Sequence, residues 1–254
     1  MMMKDIKMAK KVLIAGESWT SVTTHIKGAD TFITSVYEEG ADYLREALES
    51  GGYEVTYVPN HRAQDSLPFT SQEYAAYDAV ILSDIGSNTL LLPSATFARS
   101  EKRPNRCQAI RDYVLDGGAL VMIGGYMSFT GIDAKARYGS TALADVLPVV
   151  CLEVDDRREH SEGVYGVVTK DHPLTQRIIG DWPALLGYNR TLPKAGCEVV
   201  AEIEGDPLIA VGKFGKGRSA VFTSDCSPHW APMEFVSWAH YKTIWLDMLG
   251  YLCG

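Results

Sequence analysis

The sequence lacks paired cysteines, long apolar runs and any excess of basic charge, and each absence removes a class of protein. Its five cysteines are odd in number and include no Cys-x-x-Cys pair, which favours reduced thiols over a disulfide framework or a structural zinc site. The first apolar run begins at Val12 and stops at Ala15, which is too short for a signal peptide or a membrane span. We therefore predict a cytoplasmic protein that does not contact membranes.

Acidic residues outnumber basic ones, and the formal net charge is -8. Surfaces that bind nucleic acid are normally basic, so we predict no nucleic-acid partner. The chain has no Gly-x-x-x-x-Gly-Lys-Ser/Thr loop and no Gly-x-Gly-x-x-Gly after its first apolar run. His25, Asp30 and His61 lack the local spacing of a metal site. We therefore predict neither a cofactor nor a metal.

Short apolar runs alternate with helical patterns in the first half of the chain. A strand that is buried on both faces reads as a continuous apolar run, and parallel strands need helical crossovers between them. Thr70 lies three residues before Glu73, which is the capping-box pattern of a short helix. The first half therefore predicts a parallel sheet, with strands over residues 12–16, 54–58, 79–83 and 119–123, and helices over residues 37–50 and 105–116.

The second half of the chain predicts strands without long helices between them. Aromatic and aliphatic residues then repeat at three- and four-residue spacing over residues 235–253, which predicts an amphipathic helix packed on the core. No linker, internal repeat or low-complexity tract interrupts the sequence, so we predict one domain over residues 1–254. The predicted strands of this half cover residues 149–154, 164–169, 198–203, 208–212 and 219–223.

Polar residues follow the predicted strands at the points where the strands end. Glu17, Asp84, Tyr126 and His229 all occupy such positions. Ligands of open α/β sheets bind beyond the carboxyl ends of the strands. We therefore expect these four side chains to share one pocket.

Several motifs together resemble a known family, the putative glutamine amidotransferases of the class I glutamine amidotransferase-like superfamily. The resemblance covers nearly the whole chain. It implies a flavodoxin-like, Rossmann-like α/β fold: a three-layer sandwich with a mostly parallel central sheet and additional β-strands in the C-terminal half. The motifs that carry it lie at residues 25–30, 83–86, 124–128, 171–174, 205–208, 215–218 and 224–230.

The resemblance implies a nucleophile turn at residues 124–128, Gly-Gly-Tyr-Met-Ser. In active members of the superfamily, a cysteine occupies the centre of this turn, between small residues, and a later histidine is the base. Tyr126 occupies that centre here. A phenol, with a reference pKa of about 10, is a poor substitute for a thiol near 8.5. We therefore predict that ordinary cysteine-dependent glutaminase activity is absent, and whether the protein is an enzyme stays open.

Three other residues are candidates for the reaction. Ser128 can be the nucleophile only if the turn is shifted by two residues. His229 is either the catalytic base or a structural histidine packed beside Trp230. Cys226 is either an activated thiol or a small buried hydrophobic residue.

Two functions are compatible with these residues. The first is a binding protein that holds an unknown small molecule with Glu17, Asp84, Gly86, Gly125 and Asp225, although Asp225 can equally cap the next turn. The alternative is a hydrolase or amidotransferase-like enzyme that uses His229 as base on an unknown small substrate, with backbone N–H groups near the developing anion. A homo-oligomer is a further expectation, based on the aromatic content and the family's sheet edges.

Overall fold

The computed structural model describes residues 9–254. An eight-stranded sheet forms the centre of the fold, and three two-stranded sheets lie around it. Within the described residues, the strands are β1 (Lys11–Gly16), β2 (Ser18–Lys27), β3 (Asp30–Glu39), β4 (Glu54–Val58), β5 (Ala79–Ser83), β6 (Ala119–Ile123), β7 (Val149–Cys151), β8 (Arg157–Val164), β9 (Gly166–Val168), β10 (Leu185–Asn189), β11 (Thr191–Pro193), β12 (Glu198–Ile203), β13 (Asp206–Phe214) and β14 (Gly217–Phe222).

Helices connect the parallel strands and close the chain. Three short 3-10 helices lie between β6 and β7, over Ile132–Ala134, Tyr138–Ser140 and Ala142–Asp145. Within residues 9–254, the α-helices are α1 (Asp42–Ser50), α2 (Asn60–Ser66), α3 (Ser71–Tyr74), α4 (Ser87–Leu91), α5 (Ser94–Arg99), α6 (Arg106–Asp116), α7 (Met233–Val236) and α8 (Tyr241–Cys253). In this part of the chain, no helix is both long and apolar enough to cross a membrane.

The central sheet has the strand order β4-β1-β5-β6-β14-β13-β12-β9. Its first five strands are parallel, and β13, β12 and β9 continue the sheet in antiparallel pairing. Four of these parallel strands, β4, β1, β5 and β6, come from the part of the chain where helices separate the apolar runs, whereas β14 comes from the second half. The mostly parallel sheet and the extra strands of the second half confirm the predicted fold class.

Two hydrophobic cores lie on opposite faces of this sheet. Successive side chains of a strand point to opposite faces, so Leu13 packs in one core while Val12 and Ile14 pack in the other. Helices α1 and α8 cover the Val12 side, and α2, α3 and α6 cover the Leu13 side. The result is a three-layer sandwich.

The predicted helix over residues 37–50 is wrong at its start. Residues 30–39 form β3, and α1 begins only at Asp42. β2 and β3 pair over all ten positions, from Ser18 opposite Glu39 to Lys27 opposite Asp30. Threonine, valine and isoleucine are frequent in both strands, and these branched residues favour β-structure over helix. We call residues 18–39 the arm.

Three other local predictions differ from the structure. Helices α4 and α5 were not predicted, and the C-terminal helix begins at Tyr241 rather than at residue 235. β8, β10 and β11 were not predicted. Their pairing is made with segments far apart in sequence, β10 with β8 and β11 with β7, and such pairing leaves no local pattern.

Candidate functional site

Three carboxyl groups meet at the carboxyl ends of the parallel strands. Glu17 follows β1, Asp84 follows β5, and Asp225 follows β14 by three residues. Glu17 and Asp225 are buried, and Asp84 is partly exposed. The three residues also affect one another's ionisation, so they form one cluster, which we call the carboxyl cluster.

Glu17 holds the centre of the carboxyl cluster through hydrogen bonds to both of its carboxyl oxygens. Ser83 Oγ donates to Oε2 at 2.5 Å, and Ser227 Oγ donates to Oε1 at 2.8 Å. The thiol of Cys226 also donates to Oε2, at 3.7 Å. Because these donors come from the ends of β5 and β14, Glu17 connects three strand ends.

Burial raises the pKa of all three carboxyl groups of this cluster. Loss of hydration and, to a smaller extent, repulsion from Asp84 raise the pKa of Glu17 to about 7. Burial raises the pKa of Asp84 as well, although the hydrogen bond from Met127 N and, less strongly, the nearby His229 oppose the shift. Burial and repulsion from Glu17 raise the pKa of Asp225 well above its usual value. Carboxyl groups that keep their protons can donate hydrogen bonds as well as accept them.

The backbone at two of these acids is left-handed. Glu17 has φ +49° and Asp84 has φ +43°, a region that few non-glycine residues adopt. Each acid follows the last residue of its strand, where the chain turns away from the sheet. Backbone strain of this kind concentrates at functional sites, and the two residues affected here are both members of the carboxyl cluster.

His229 lies beside the carboxyl cluster. Its Nδ1 atom is 3.9 Å from Asp225 Oδ2, and its charge lowers the pKa of Asp84. The ring centroid is 4.6 Å from that of Trp19, at the base of the arm. The side chain is 49% exposed, so it faces both the cluster and solvent.

The turn over residues 124–128 contacts the carboxyl cluster through its backbone. Gly125 has φ +139°, and a Cβ atom there would lie 2.8 Å from Asp84 Oδ1, so only glycine fits this approach. Met127 N donates to Asp84 Oδ1 at 2.6 Å, and Gly125 N donates to Asn189 Oδ1 at 3.0 Å. These two N–H groups are therefore already occupied in the structure.

A buried pair of polar side chains holds this turn. Asn189 Nδ2 donates to Asp156 Oδ1 at 2.9 Å. Asp156 in turn accepts from the backbone N–H groups of Thr130 and Gly131, at 2.8 and 2.9 Å. Asn189 and Asp156 were not among the predicted site residues, because Asn189 ends β10 and Asp156 precedes β8, and neither strand has a local signal in the sequence.

Tyr126 projects from the turn toward solvent and is 42% exposed. Its ring lies 5.5 Å from that of Trp230, and the guanidinium of Arg157 lies 4.9 Å from its centroid. Partial burial, with a smaller effect of Glu159, raises the pKa of Tyr126. The phenol is therefore accessible but is held in its neutral form.

The other two nucleophile candidates are buried and hydrogen-bonded. Ser128 Oγ donates to the carbonyl of Ile123 at 2.6 Å and accepts from Asp84 N at 3.2 Å. Cys226 is fully buried, and burial beside Glu17 raises the pKa of its thiol well above the usual value. The structure therefore gives Ser128 and Cys226 packing and hydrogen-bonding contacts, while Tyr126 alone of the three is exposed.

Gly86 lies against the other side of the turn. It is buried, and a Cβ atom at this position would lie 2.6 Å from the terminal methyl of Met127. The nine residues predicted for the site fall into two groups. Six meet at the carboxyl cluster: Glu17, Asp84, Gly125, Asp225, Cys226 and His229. The other three surround the turn: Gly86, Tyr126 and Ser128.

The carboxyl cluster also contains atoms that could ligate a metal. A carboxyl oxygen from each of Glu17 and Asp225 and the Sγ atom of Cys226 lie within 4.8 Å of one another. Hydrogen bonds from Ser83 and Ser227 already use both oxygens of Glu17, and a raised thiol pKa disfavours the thiolate that binds metals. We therefore assign no metal to these residues.

A cleft of about 510 Å³ opens beside the cluster. Trp19 and Ser227 line it, together with the acidic side chains of Glu38 and Glu46. Ser227 also donates to Glu17, and Trp19 also contacts His229. The cleft therefore reaches the carboxyl cluster at Ser227 and the histidine at Trp19. Trp19, Ser83 and Ser227 were not predicted as site residues, although Ser83 adjoins Asp84, Ser227 adjoins Cys226 and Trp19 lies two residues after Glu17.

Comparison with known proteins places this architecture among related chains. The sequence profile of the family described as putative glutamine amidotransferase matches residues 11–254. No curated protein matches the sequence significantly.

Two solved structures from Salmonella typhimurium are similar over almost their whole length. The cytoplasmic protein STM1381 is 49% identical, with a TM-score of 0.92, over 95% of this chain and 99% of that one. The cytoplasmic protein STM3548 is 44% identical, with a TM-score of 0.92, over 95% of this chain and 98% of that one. A ThuA-like protein from Parabacteroides merdae, 12% identical, shares the fold with a TM-score of 0.58 over 97% of this chain and 90% of that one.

Proposed function

This chain belongs to the putative glutamine amidotransferase family. We propose that, within this family, it binds a small polar molecule and does not hydrolyse glutamine through a cysteine. The observation that carries the proposal is the residue at the centre of the turn, Tyr126. A thioester route needs a thiolate at that point, close to donors for the developing oxyanion.

The nearby thiol does not replace the missing nucleophile. Cys226 is fully buried, donates to Glu17 and has a pKa well above that of a free thiol. Reactive cysteines instead have lowered pKa values and some exposure. Attack by Cys226 would require both exposure of the thiol and removal of its proton.

The backbone of the turn also lacks two of the donors that an oxyanion would use. The N–H groups of Gly125 and Met127 donate to Asn189 and Asp84. A substrate oxygen would have to displace the side chain of Asn189 or of Asp84 to reach these groups. This arrangement favours a stable binding site over a site for acyl transfer.

The residues around the cleft suggest the chemistry of the ligand. Glu38 and Glu46 supply acceptors, and Trp19 supplies a flat apolar surface. Ser227 lines the cleft and donates a hydrogen bond to Glu17. Acceptors and aromatic faces suit a ligand that carries hydroxyl, amide or amine donors. We therefore propose a small polar ligand rich in hydrogen-bond donors.

Three measurements test the proposal. Ammonia release from glutamine is expected to stay at the level of a protein-free blank, and a glutamine-analogue electrophile is expected to leave all five cysteines unlabelled in mass spectra. Thermal-shift screening of polyols, amides and amines is expected to identify a ligand that raises the melting temperature. Trp19→Ala is expected to weaken its binding, while Ile179→Ala, at a residue that is 77% exposed and away from the cleft, is the matched control. Labelling of Cys226 with release of ammonia would overturn the proposal.

A second candidate function is acid–base catalysis by His229. The specific observation that favours it is the position of Nδ1, 3.9 Å from the buried Asp225 carboxyl group, since a neighbouring carboxyl oxygen can orient a histidine base once the two atoms move into hydrogen-bond distance. If a screened ligand is converted to product, His229→Ala is expected to lower kcat by roughly a hundredfold or more while the melting temperature is unchanged. An unchanged kcat in this variant would exclude His229 as the base.

We also propose a cytoplasmic location for this chain. The scattered cysteines of the sequence support it, and so does the description of two similar proteins of Salmonella typhimurium as cytoplasmic. Fractionation of cells that express the tagged chain tests this location.

A further inference from the structure

The cleft beside the carboxyl cluster is formed jointly by the arm and the body of the protein. Trp19, Glu38 and Glu39 line it from the arm, whereas Ser227 and Pro228 line it from the segment after β14. A change in the position of the arm relative to the body therefore changes the width of the cleft.

The arm packs on the body at its base. The ring of Trp19 lies 4.6 Å from that of His229, and the ring of Tyr37 lies 4.9 Å from that of His61 in α2. Residues 19 and 37 belong to adjacent cross-strand pairs, so their side chains point to opposite faces of the ribbon. The base of the arm is therefore held between α2 and the segment after β14.

Beyond its base, the arm is in contact with solvent. Every residue from Thr20 to Glu39 is exposed except His25, which is partly buried. An isolated two-stranded ribbon gains little stability from burial, and regions with few buried contacts are the ones that move most easily. The arm can therefore swing without disturbing the core of the central sheet.

The two ends of the arm meet at Glu17 and Gly40, where Gly40 N donates to the carbonyl of Glu17 at 2.9 Å. The β2 end is fixed to α2, because Asn60 N donates to Ser18 Oγ at 2.8 Å and Asn60 Nδ2 donates to the carbonyl of Ser18 at 2.7 Å. The β3 end reaches α1 through Gly40, which has no side chain. A few residues at the end of an element are sufficient for a hinge.

Gly40 also covers the carboxyl group of Glu17. A Cβ atom on Gly40 would lie 2.7 Å from Glu17 Oε1 and 2.6 Å from Ser227 Oγ, so the backbone of the hinge packs directly on this carboxyl group. Glu17 is 1% exposed as a result. Movement of Gly40 away from the body would admit water to the carboxyl group.

We propose that the arm is a lid on the cleft, hinged at Glu17 and Gly40, and that it opens when the carboxyl group of Glu17 loses its proton. The proposal rests on the proposed function in that the cleft is the site of the ligand. A buried carboxylate is costly unless it is paired or hydrated, and opening of the hinge supplies the hydration.

The groups around Glu17 set the direction of this effect. Burial and, to a smaller extent, repulsion from Asp84 raise its pKa to about 7. Arg45 of α1 lies over the ring of Tyr57 and is paired with Asp42. The titratable groups that face Glu17 or its contacts are Asp84, Asp225, Cys226 and His229 after β5 and β14, Tyr57 of β4, Tyr37 and Glu39 of the arm, and Tyr241 of α8.

Only His229 in that set can carry a positive charge, so the closed surroundings balance a carboxylate at Glu17 poorly. The closed state holds the proton to about pH 7, whereas a hydrated carboxyl group holds it only to about pH 4.5. The closed state is therefore favoured most at low pH, and opening becomes easier as pH rises through this range.

Hydrogen exchange of the Gly40 amide, followed by NMR in the ligand-free full chain, tests the proposal. Its bond to the carbonyl of Glu17 protects this amide while the hinge is closed. The protection factor, corrected for the intrinsic exchange rate, therefore gives the equilibrium constant for opening. This constant is expected to rise by more than about tenfold between pH 5 and pH 8.

Other amides in the same sample separate the swing of the lid from other motions. The amide of Val121, in the centre of the sheet, reports global unfolding and is expected to show a smaller opening constant at both pH values. The paired amides of β2 and β3 are expected to show opening constants that do not change with pH, because the arm moves as one piece. A rise in these constants equal to that of Gly40 would mean that the ribbon itself separates, and would overturn the lid.

Two variants test the two parts of the hinge. Glu17→Gln does not titrate and is expected to remove the change of the Gly40 opening constant with pH, whereas Glu49→Gln, at an exposed position of α1, is expected to retain it. Gly40→Ala places a methyl group against Glu17 and Ser227 and is expected to raise the opening constant of residue 40 already at pH 5.

Three results would overturn the proposal: a Gly40 opening constant that is independent of pH, one that rises equally in wild type and Glu17→Gln, or one equal to that of Val121. None of these measurements uses a ligand. A failed ligand screen would therefore contradict the proposed function alone, and a failed exchange experiment would contradict the lid alone.

Discussion

Glu17 both connects the elements of the site through hydrogen bonds and has a raised pKa. Its side chain accepts hydrogen bonds from Ser83 and Ser227, and its backbone carbonyl accepts from Tyr57 Oη at 3.1 Å. A carboxylate in this position has lost most of its hydration, so the proton is retained to about pH 7. The carboxyl group is therefore half protonated near physiological pH.

The raised pKa of Glu17 predicts a loss of stability as pH rises. The folded state holds this proton more tightly than the unfolded chain, whose pKa is near 4.5. The contribution of Glu17 to the free energy of unfolding is therefore largest below about pH 4.5, declines up to about pH 7 and is constant above that pH. The total loss of stability over this range is about 3 kcal/mol. Asp84 and Asp225 have raised pKa values too, so they act in the same direction.

Urea unfolding at pH 5 and pH 8 measures this effect. Glu17→Gln is expected to reduce the difference between the two pH values, because glutamine does not titrate. Glu49→Gln, at an exposed position of α1, is expected to keep the wild-type difference. If Glu17→Gln and the wild type change in parallel with pH, the raised pKa of Glu17 is not the cause.

At the scale of elements, the turn that follows β6 depends on side chains from distant strands. Asn189, the last residue of β10, bonds both Gly125 N and Asp156. The segment after Gly125 is not a helix but a series of turns and a 3-10 helix beginning at Ile132. The strand-to-helix geometry of a nucleophile turn is therefore missing along with the thiol.

Asn189→Ala is expected to destabilise the protein by about 2–4 kcal/mol. The change leaves the buried Gly125 N–H without an acceptor and removes a donor from buried Asp156, and each unsatisfied group costs about 1–3 kcal/mol. The midpoint of urea unfolding measures the loss. Asn88→Ala, at an exposed position of α4, is the control and is expected to change the unfolding free energy by less than about 0.5 kcal/mol. Equal losses in the two variants would show that the turn does not depend on Asn189.

The arm is the element on which local and tertiary preferences differ most. The apolar positions after residue 37 have helical spacing, but Tyr37 and Glu39 lie in β3 and only Asp42–Ser50 is helical. The chain changes from strand to helix at Gly40, where a Cβ atom would lie 2.6 Å from Ser227 Oγ and 2.7 Å from Glu17 Oε1. The boundary is therefore set by packing against the carboxyl cluster, and the residues next to it in sequence do not reveal it.

At the scale of the whole molecule, aromatic residues join α8 to the sheet. Trp245 is 1% exposed, and its ring lies 5.3 Å from that of Phe222 on β14 and 5.9 Å from that of Tyr241. Phe235 of α7 packs on Phe222 as well, at 5.8 Å. One side of the sandwich is thus covered by rings that the C-terminal pattern of the sequence already predicts to be core.

Trp245→Ala is expected to destabilise the protein by about 3–5 kcal/mol, because it leaves a cavity the size of an indole. Phe97→Ala removes a ring that is 74% exposed and is expected to cost less than about 0.5 kcal/mol. Urea unfolding followed by fluorescence and circular dichroism measures both variants. The prediction of one domain requires that the two signals coincide in the wild type, and separate transitions would contradict it.

The sequence by itself determined the parallel strands of the central sheet, because such buried strands are continuous apolar runs. It also determined that Tyr126 occupies the centre of the turn, since that assignment needs only the order of residues 124–128 and a family resemblance. Only the tertiary structure decided that the carboxyl groups of Glu17, Asp84 and Asp225 lie together with raised pKa values, that Asn189 occupies Gly125 N, and that residues 18–39 form an arm. Each of these depends on the burial and contacts of residues far apart in the chain, and local periodicity does not record burial or contacts of that kind.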